Sequence, residues 1–486
     1  MTMKTSILLS RNQIYQIEKN IKPSYKLMDN AGKISANYIN NNIPKKNILI
    51  LCGIGGNGGD GFVIGEELRK YKWNIKISII GDKKKIKGDA KKALKKLTIK
   101  NLDFNYINLD KIDYVIDAIF GIGLNRKLEK ECIQIIEQIN KKKIPVIALD
   151  IPSGVDSDTG EIFNVSFECF LTLTYSVYKL CHYLLPSAEK CGKVKLLNIG
   201  IPKTAFNNIN PKININSQNI WKDKIVWPKV SDHKYSRGYL IVVGGPKEMT
   251  GAARLAAKGA QRAGSGIVTL VCNKSSSEIY YKSLTSQIVK SYNNISEFKN
   301  IISDKRINSI VVGPGLGYNN LAKKIVKIIL KHSNNIIIDA DAITCFQNDL
   351  KTFKNLLKNK TAIITPHEGE LKKLFPNLKG TLVHKASTAA KKLNVIVVLK
   401  SATTVIATND NQIIINQHGA KWLSTAGSGD VLAGIIGALL SNGMNAFYAA
   451  AFGVWLHSSA GKDFGPGLIA DDIPDLIPKV FKKIYN

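Results

Sequence analysis

Acidic side chains are scarce in this chain. Among 486 residues, 37 Asp and Glu stand against 69 Lys and Arg, a formal net charge of +32. Long apolar runs are missing too. No stretch approaches the roughly 18 residues that a helical membrane span requires, which excludes a membrane protein of that kind. The opening segment, MTMKTSILLSRNQ, has an apolar core too short for a secretory signal. Cysteine is limited to 7 residues, an odd number without CxxC spacing. That argues for reduced thiols in a reducing compartment and against a zinc site. A soluble, cytoplasmic protein is expected.

What is present supports folded domains. The composition is 44% hydrophobic and only 22% charged, enough to bury sizeable cores. At about 150 residues per domain, the length predicts two large domains or three smaller ones. The positive excess attracts polyanions such as phosphorylated metabolites or nucleic acid. Its lysines are spread beside Ile and Asn, with short runs such as Lys83-Lys84-Lys85 and Lys141-Lys142-Lys143. None has the aromatic interleaving of a single-strand nucleic-acid platform. A compositional lysine habit with phosphate steering explains the charge better than a nucleic-acid partner does.

Apolar strand-like runs alternate with helical patterns along nearly the whole chain. Runs at 47–52, 75–80, 114–117 and 145–150 are separated by helical segments at 89–97 and 130–141. The alternation lapses between about 201 and 232, where Asn, Pro and Lys dominate around Trp221 and Trp227. It restarts at 238–245 and continues through 310–312, 336–339 and 395–399. Strand, crossover helix, strand implies a mostly parallel sheet covered by helices. The fold class is therefore α/β, with two doubly wound, mostly parallel-sheet domains at 1–214 and 215–486.

The first run, 47–52, leads into the loop GIGGNGGDG at 53–61, followed by an amphipathic helix through Tyr71. Such glycine density lets backbone N–H groups approach a phosphate at a helix N-terminus. No Lys-Ser/Thr follows, so the loop is not a P-loop, and no acidic residue stands where a dinucleotide-binding fingerprint wants one. Together with Leu27-Met28-Asp29-Asn30-Ala31-Gly32, Asp117-Ala118-Ile119-Phe120-Gly121-Ile122-Gly123-Leu124 and Asp150-Ile151-Pro152-Ser153-Gly154, the loop resembles the NAD(P)H-hydrate epimerase family. This resemblance implies a Rossmann-like N-terminal domain with a K⁺ site from Asn57, Asp117 and Ser153. It implies substrate contacts from Gly56, Asn57, Gly58, Gly59 and Asp60, and from Gly121, Ile122, Gly123, Leu124, Asn125, Arg126 and Lys127. Asp150 is implied as a contact of the damaged nicotinamide ring and as the acid/base. Gly56 stands where the family carries Asn, and Asn125-Arg126 replaces its Arg-Gly.

A second glycine cluster, Thr425-Ala426-Gly427-Ser428-Gly429-Asp430, opens a long apolar helix. Several N–H groups converge at the positive end of such a helix and form an anion hole. An Asp in the first turn is placed to take a hydroxyl proton during phosphoryl transfer. With Thr250-Gly251-Ala252-Ala253, the Gly-Pro-Gly-Leu-Gly run at 313–317, Asp339-Ala340-Asp341-Ala342, Thr365-Pro366-His367-Glu368-Gly369-Glu370 and the run from Leu399 to Thr404, this resembles the ADP/ATP-dependent NAD(P)H-hydrate dehydratase family. The resemblance implies a ribokinase-like C-terminal domain. Ala252, Gly315, His367 and Asp430 are implied at the hydrated nicotinamide nucleotide. Lys400, Ser401, Ala402, Thr403 and Thr404, with Gly427, Ser428 and Gly429, are implied at the adenine nucleotide. Departures from the family pattern fall at Tyr235, at His418-Gly419-Ala420 and at Ser458. The other histidines, including His182, His332 and His384, have no metal spacing and read as structural.

Joined in one chain, the two resemblances imply a bifunctional repair enzyme. It would interconvert the epimers of hydrated NADH and NADPH, then dehydrate one of them with ADP or ATP. K⁺ and Mg²⁺ are implied as cofactors, catalysis is implied at Asp150 and Asp430, and a homo-oligomer is expected. Two alternatives stay open at this point. One is a ribokinase-like kinase of a vitamin precursor. The other is a first domain that binds RNA without catalysis, since relatives of that domain occur in RNA-decay scaffolds.

Overall fold

The computed structural model describes residues 6–416 and 421–485. The departure at His418-Gly419-Ala420 lies outside the described residues. Two compact units divide the chain, Met1–Pro211 and Lys212–Asn486. Among the described residues, no helix is long and apolar enough to cross a membrane.

The first unit is built on a six-stranded sheet whose pairings are all parallel. Its strands lie in the order Asn74–Ile79, Asn47–Cys52, Tyr114–Ala118, Val146–Leu149, Cys169–Tyr175 and Lys193–Leu197. A parallel sheet is covered on both faces, and strand Asn47–Cys52 shows how the sequence meets that demand. Ile48, Ile50 and Cys52 enter one apolar core with Phe62 and Ile64, while Leu49 and Leu51 enter the opposite core with Ile135 and Ile136. The chain leaves Asn47–Cys52 for one neighbour and returns to the other, so the loops after Asn47–Cys52 and Tyr114–Ala118 diverge at a switch point. Open α/β sheets bind their ligands in such crevices.

In the second unit, strands Ile288–Tyr292, Ile267–Asn273, Tyr239–Val243, Ser309–Val312, Asn335–Ile338, Thr361–Ile364 and Ile396–Leu399 pair in parallel. Val405–Ala407 and Ile413–Ile415 extend the sheet antiparallel, and Ile213–Ile215 adds in parallel beside the latter. The switch point lies between Tyr239–Val243 and Ser309–Val312. Helix Ser428–Ser441 is buried on every side from Val431 onward and packs on helix Thr250–Arg262. A Cβ on Gly434 would stand 2.0 Å from the carbonyl oxygen of Ala256, so only glycine permits that backbone approach.

Two local expectations change. Residues 56–61 are not loop: helix Gly56–Lys70 begins at Gly56, because the glycines let its first turn fold back on residue 53. The segment at 201–232 is not merely irregular. It supplies strand Ile213–Ile215, helix Gln218–Trp221 and the fully buried Trp221, which stacks on Phe452 at 4.4 Å between ring centroids. Asn216 offsets its own burial by accepting from Trp221 Nε1 at 3.0 Å and donating to Asn416 Oδ1 at 2.9 Å. Polar content hid a core element that rests on one aromatic ring.

The close helix pair generates a stability prediction. Gly434→Val forces the helices apart and destabilises the second unit by about 3 kcal/mol, at the upper end of overpacking effects. Urea denaturation should show an earlier midpoint than for Ser424→Ala; equal midpoints would contradict the packing argument.

Candidate active sites

The first unit holds a cavity of about 540 Å³ at its switch point. Asp150 stands at its wall, immediately after strand Val146–Leu149, with φ at +65°. Lys179 Nζ donates to Asp150 Oδ1 at 2.5 Å and to Thr174 Oγ1 at 2.8 Å, and Thr174 Oγ1 donates to the same carboxylate oxygen at 3.1 Å. Both members of this ion pair are buried. Asp60, Glu18, Tyr15 and Tyr175 line the same space. Burial, reinforced by Asp150 and Glu18, raises the Asp60 carboxyl well above the usual range. Glu18 is raised for the same first reason, with Asp150 adding to it. Several carboxylates and one lysine thus share a poorly solvated pocket, an arrangement suited to moving protons.

Near the end of strand Tyr114–Ala118, Asp117 is fully buried. Ser153 Oγ donates to its Oδ1 at 2.6 Å, Ser153 N–H to its Oδ2 at 2.7 Å, and Ile119 N–H to Oδ1 at 3.2 Å. Burial still pushes the carboxyl up to about 6 against those bonds. Asn57 lies against Gly121, four residues after Asp117, since a Cβ there would be 3.6 Å from its Oδ1, and its Nδ2 is buried without a partner. A buried carboxylate with hydrogen-bond donors but no lysine or arginine partner, together with the Ser153 hydroxyl and the Asn57 amide oxygen, offers the hard oxygen ligands that an alkali cation takes.

The residues read from the sequence are only partly brought together. Gly56, Asn57, Asp60, Gly121, Ile122, Gly123, Leu124, Arg126 and Asp150 line the cavity. Gly58 and Gly59 are buried instead against Gly53 and Met28 and work as packing positions. Asn125 and Lys127 are exposed outside the cavity wall, and exposed Arg126 lies 3.7 Å from Glu129. Lys179 went unnoticed in the sequence. Its one signal is a lysine between the apolar residues Val177 and Leu180, and its partner lies 29 positions away.

In the second unit, polar groups converge where parallel strands end. Asp339 follows strand Asn335–Ile338 and is 1% exposed. It accepts from Lys400 Nζ at 2.6 Å and from Thr365 Oγ1 at 2.7 Å. Lys400 is carried there because its N–H donates to the Pro366 carbonyl at 2.8 Å, which ties the end of strand Ile396–Leu399 to the His367 turn. Burial alone would depress the Lys400 ammonium, but the carboxylates of Asp339 and Glu370 hold its pKa above the ordinary value.

His367 caps helix Glu368–Leu374, its Nδ1 accepting from the N–H groups of Gly369 and Glu370. Its own N–H donates to Glu370 Oε2 at 2.8 Å. Burial raises Glu370, whereas Lys400 opposes the shift. Gly427 has φ at +88° and turns the chain into helix Ser428–Ser441, whose first turn carries Asp430. A Cβ on Gly429 would be 3.3 Å from Lys400 Nζ, so the lysine sits beside the glycine turn.

Burial, and next the charge of Asp339, push Asp430 up to about 7, with Lys400 offsetting part of the rise. Gly315, with φ at +61°, lies against Ala252 and the Met249 carbonyl. Asp341 Oδ2 accepts from Gly317 N–H at 2.8 Å and pins that loop. Thr403 is buried, whereas Ser401, Ala402 and Thr404 retain some exposure. Asp339 and Glu370 were visible in the sequence only as members of motifs, without a role.

The chain can now be set beside known proteins. A family model described as NAD(P)H-hydrate dehydratase matches residues 240–479, and one described as YjeF-related protein N-terminus matches residues 24–181. The Bifunctional NAD(P)H-hydrate repair enzyme Nnr of Moorella thermoacetica is 30% identical over 498 aligned positions, covering 95% of this chain and 93% of the relative. The protein of the same name from Dictyoglomus turgidum is 29% identical, with 99% of both chains covered. A solved ribokinase-like superfamily protein from Enterococcus faecalis V583 is 25% identical with a TM-score of 0.52, covering 57% of this chain and 98% of that one. Similarity that runs through both units identifies this chain as a member of the bifunctional NAD(P)H-hydrate repair enzyme family.

Proposed function

We propose that this protein returns hydrated NADH and NADPH to their active forms, the first unit acting as epimerase and the second as ADP- or ATP-dependent dehydratase. The observation that carries this reading is a pair of built acid/base sites, at Asp150 and Asp430, in a chain similar over both units to one family. The complete set of Asn57, Asp117, Asp150 and Ser153 speaks for catalysis rather than a scaffold.

The substrate carries a hydroxyl on C6 of a reduced nicotinamide ring, and hydroxide is a poor leaving group. Asp430, ionised above its raised pKa, takes the proton of that hydroxyl. The oxygen then attacks the terminal phosphorus of ADP or ATP; a new P–O bond forms, and the bond to AMP or ADP breaks. N–H groups at Gly427 and Gly429 stabilise the charge that develops on the moving phosphoryl, while the Ser428 N–H donates to the Thr425 carbonyl at 3.4 Å and shapes the turn. Lys400, held by Asp339, adds a cation beside the same turn. Phosphate then leaves C6 as the ring nitrogen supplies its electron pair, and loss of the C5 proton restores the dihydronicotinamide. Ala252, Gly315 and His367 hold the nicotinamide nucleotide, and Lys400 to Thr404 the adenine nucleotide. Mg²⁺ supplies charge neutralisation on the phosphates when it is bound.

Phosphoryl transfer at a fixed position admits one C6 configuration, which gives the first unit its purpose. Asp150 moves a proton at the C6 oxygen, a demand common to loss and return of water and to ring opening. Lys179 holds the Asp150 carboxylate in place. Asn57, Asp117 and Ser153 would hold K⁺, which supplies the positive charge that Asp117 lacks. Gly56, Asp60, Gly121 to Leu124 and Arg126 bind the rest of the nucleotide.

Three measurements test these roles. Dehydration of the reactive epimer with ADP should rise with pH through about 7, as Asp430 loses its proton. Asp430→Asn should abolish that limb and lower kcat by about 10²–10⁴-fold; a normal profile in the variant would remove Asp430 from the chemistry.

Recovery of absorbance from mixed epimers should stop after one epimer in Asp150→Asn, with dehydration of the other at the wild-type rate. Completion by the variant would exclude Asp150 as the epimerase acid/base.

Epimerisation should require K⁺, and Asp117→Asn should raise half-saturating K⁺ by about thirtyfold, the lower end of losses seen when a charged partner is removed. Equal rates in K⁺ and Na⁺ would oppose the cation site.

A further inference from the structure

Asp150 holds a left-handed backbone conformation that residues with a side chain rarely adopt, φ being +65°. Such a conformation persists where the surroundings over-determine it. Here the Asp150 N–H donates to the Leu173 carbonyl at 2.7 Å, and the Asp150 carbonyl meets His182 Nε2 at 2.9 Å. The other ring nitrogen, Nδ1, accepts the N–H of Lys179 at 3.1 Å.

A ring nitrogen that accepts from an N–H carries no proton, so the proton lies on Nε2 and is donated to the Asp150 carbonyl. One tautomer satisfies both bonds. Burial, and next the Lys179 charge, lower the His182 pKa to about 4, which keeps the ring neutral at physiological pH. His182 is 4% exposed and is not part of the cavity wall.

Asp150 follows one strand, and Lys179 comes 29 positions later. Their side chains meet only if both backbones are correctly placed. One imidazole touches both.

We propose that His182 is a positioning residue of the epimerase site, its two ring nitrogens fixing the backbones of Asp150 and Lys179 together and so setting how the Asp150 carboxylate meets the C6 oxygen. The inference rests on the epimerase reading of the first unit with Asp150 as its proton-moving group. A group that acts only through others, outside the cavity, changes turnover and leaves substrate binding nearly alone. A small misplacement of a reacting group is enough to slow chemistry by one or two orders of magnitude.

The test uses the full chain and three variants. His182→Gln keeps a donor near Nε2, His182→Asn keeps an acceptor near Nδ1, and His182→Phe keeps a ring with neither. Epimerisation kcat and KM are measured from the pure unreactive epimer, with dehydration of the reactive epimer and a thermal melt on the same samples. His182→Phe should lose about ten- to a hundredfold in kcat with KM within about twofold, and Gln and Asn should each recover part of the loss. A kcat within twofold of wild type in all three would overturn the proposal, as would a rise in KM with kcat unchanged. If His182→Phe does not fold, the Gln and Asn variants decide by the same kcat and KM criteria. Asp150→Asn is assayed in parallel. Activity surviving there refutes the underlying reading, whereas loss there with unchanged His182 variants refutes the positioning role alone.

Discussion

A carboxylate taken out of water must be balanced by a cation, by hydrogen-bond donors or by a proton, and both units are arranged around that demand. Parallel strands carry apolar side chains on both faces, so the first polar residues beyond their C-terminal ends emerge in a poorly solvated crevice. Asp150 is balanced there by Lys179 and Thr174, and Asp339 by Lys400 and Thr365. Asp117 has only Ser153 and backbone donors, and its carboxyl is pushed up to about 6. Asp430 shares Lys400 with Asp339 and is pushed up to about 7. Compensation is graded: two of these carboxylates have a lysine against them, one has only hydrogen-bond donors, and burial pushes the last up to about 7.

The two units use the same topological device for different chemistry. In each, a carboxylate stands just beyond the C-terminal end of a parallel strand, Asp150 in the first and Asp339 in the second, and a glycine-rich turn opens a helix of the same unit. The first unit adds a cavity crowded with carboxylates, which suits proton transfer at a stereocentre. The second adds a lysine beside the glycine turn, which suits a phosphoryl group in flight. Fold alone would not have separated these roles; the side chains at the strand ends do.

Two buried histidines tie backbone segments together next to these carboxylates. His182 bridges Asp150 and Lys179, and His457, also buried and lowered to about 4, meets the Ser428 carbonyl at 2.9 Å at the start of the glycine-capped helix. Both were unremarkable in the sequence, because the property that matters is which carbonyl the ring reaches. The charge of +32, by contrast, is the excess of 69 Lys and Arg over 37 Asp and Glu, and pairs that do form on the surface, such as Lys282 with Glu278, leave it unchanged. Pairs of that kind contribute little to stability.

The sequence by itself determined the parallel α/β architecture, because continuously apolar strands such as 47–52 separated by amphipathic helices have few other ways to bury both faces. It also determined the glycine-rich helix starts near 53–56 and 425–428 and the carboxylates Asp60 and Asp430 in the turns after them, since both are local patterns, although 53–61 read as loop. Tertiary structure alone decided which groups those carboxylates face. Lys179 lies 29 positions from Asp150 and Lys400 lies 61 from Asp339, and no local spacing announces either pair. It also decided that Gly58 and Gly59 pack while Asp60 faces the cavity, and that an Asn-rich segment buries Trp221. Burial and partner choice depend on what other strands bring into the crevice, and local pattern carries no term for that.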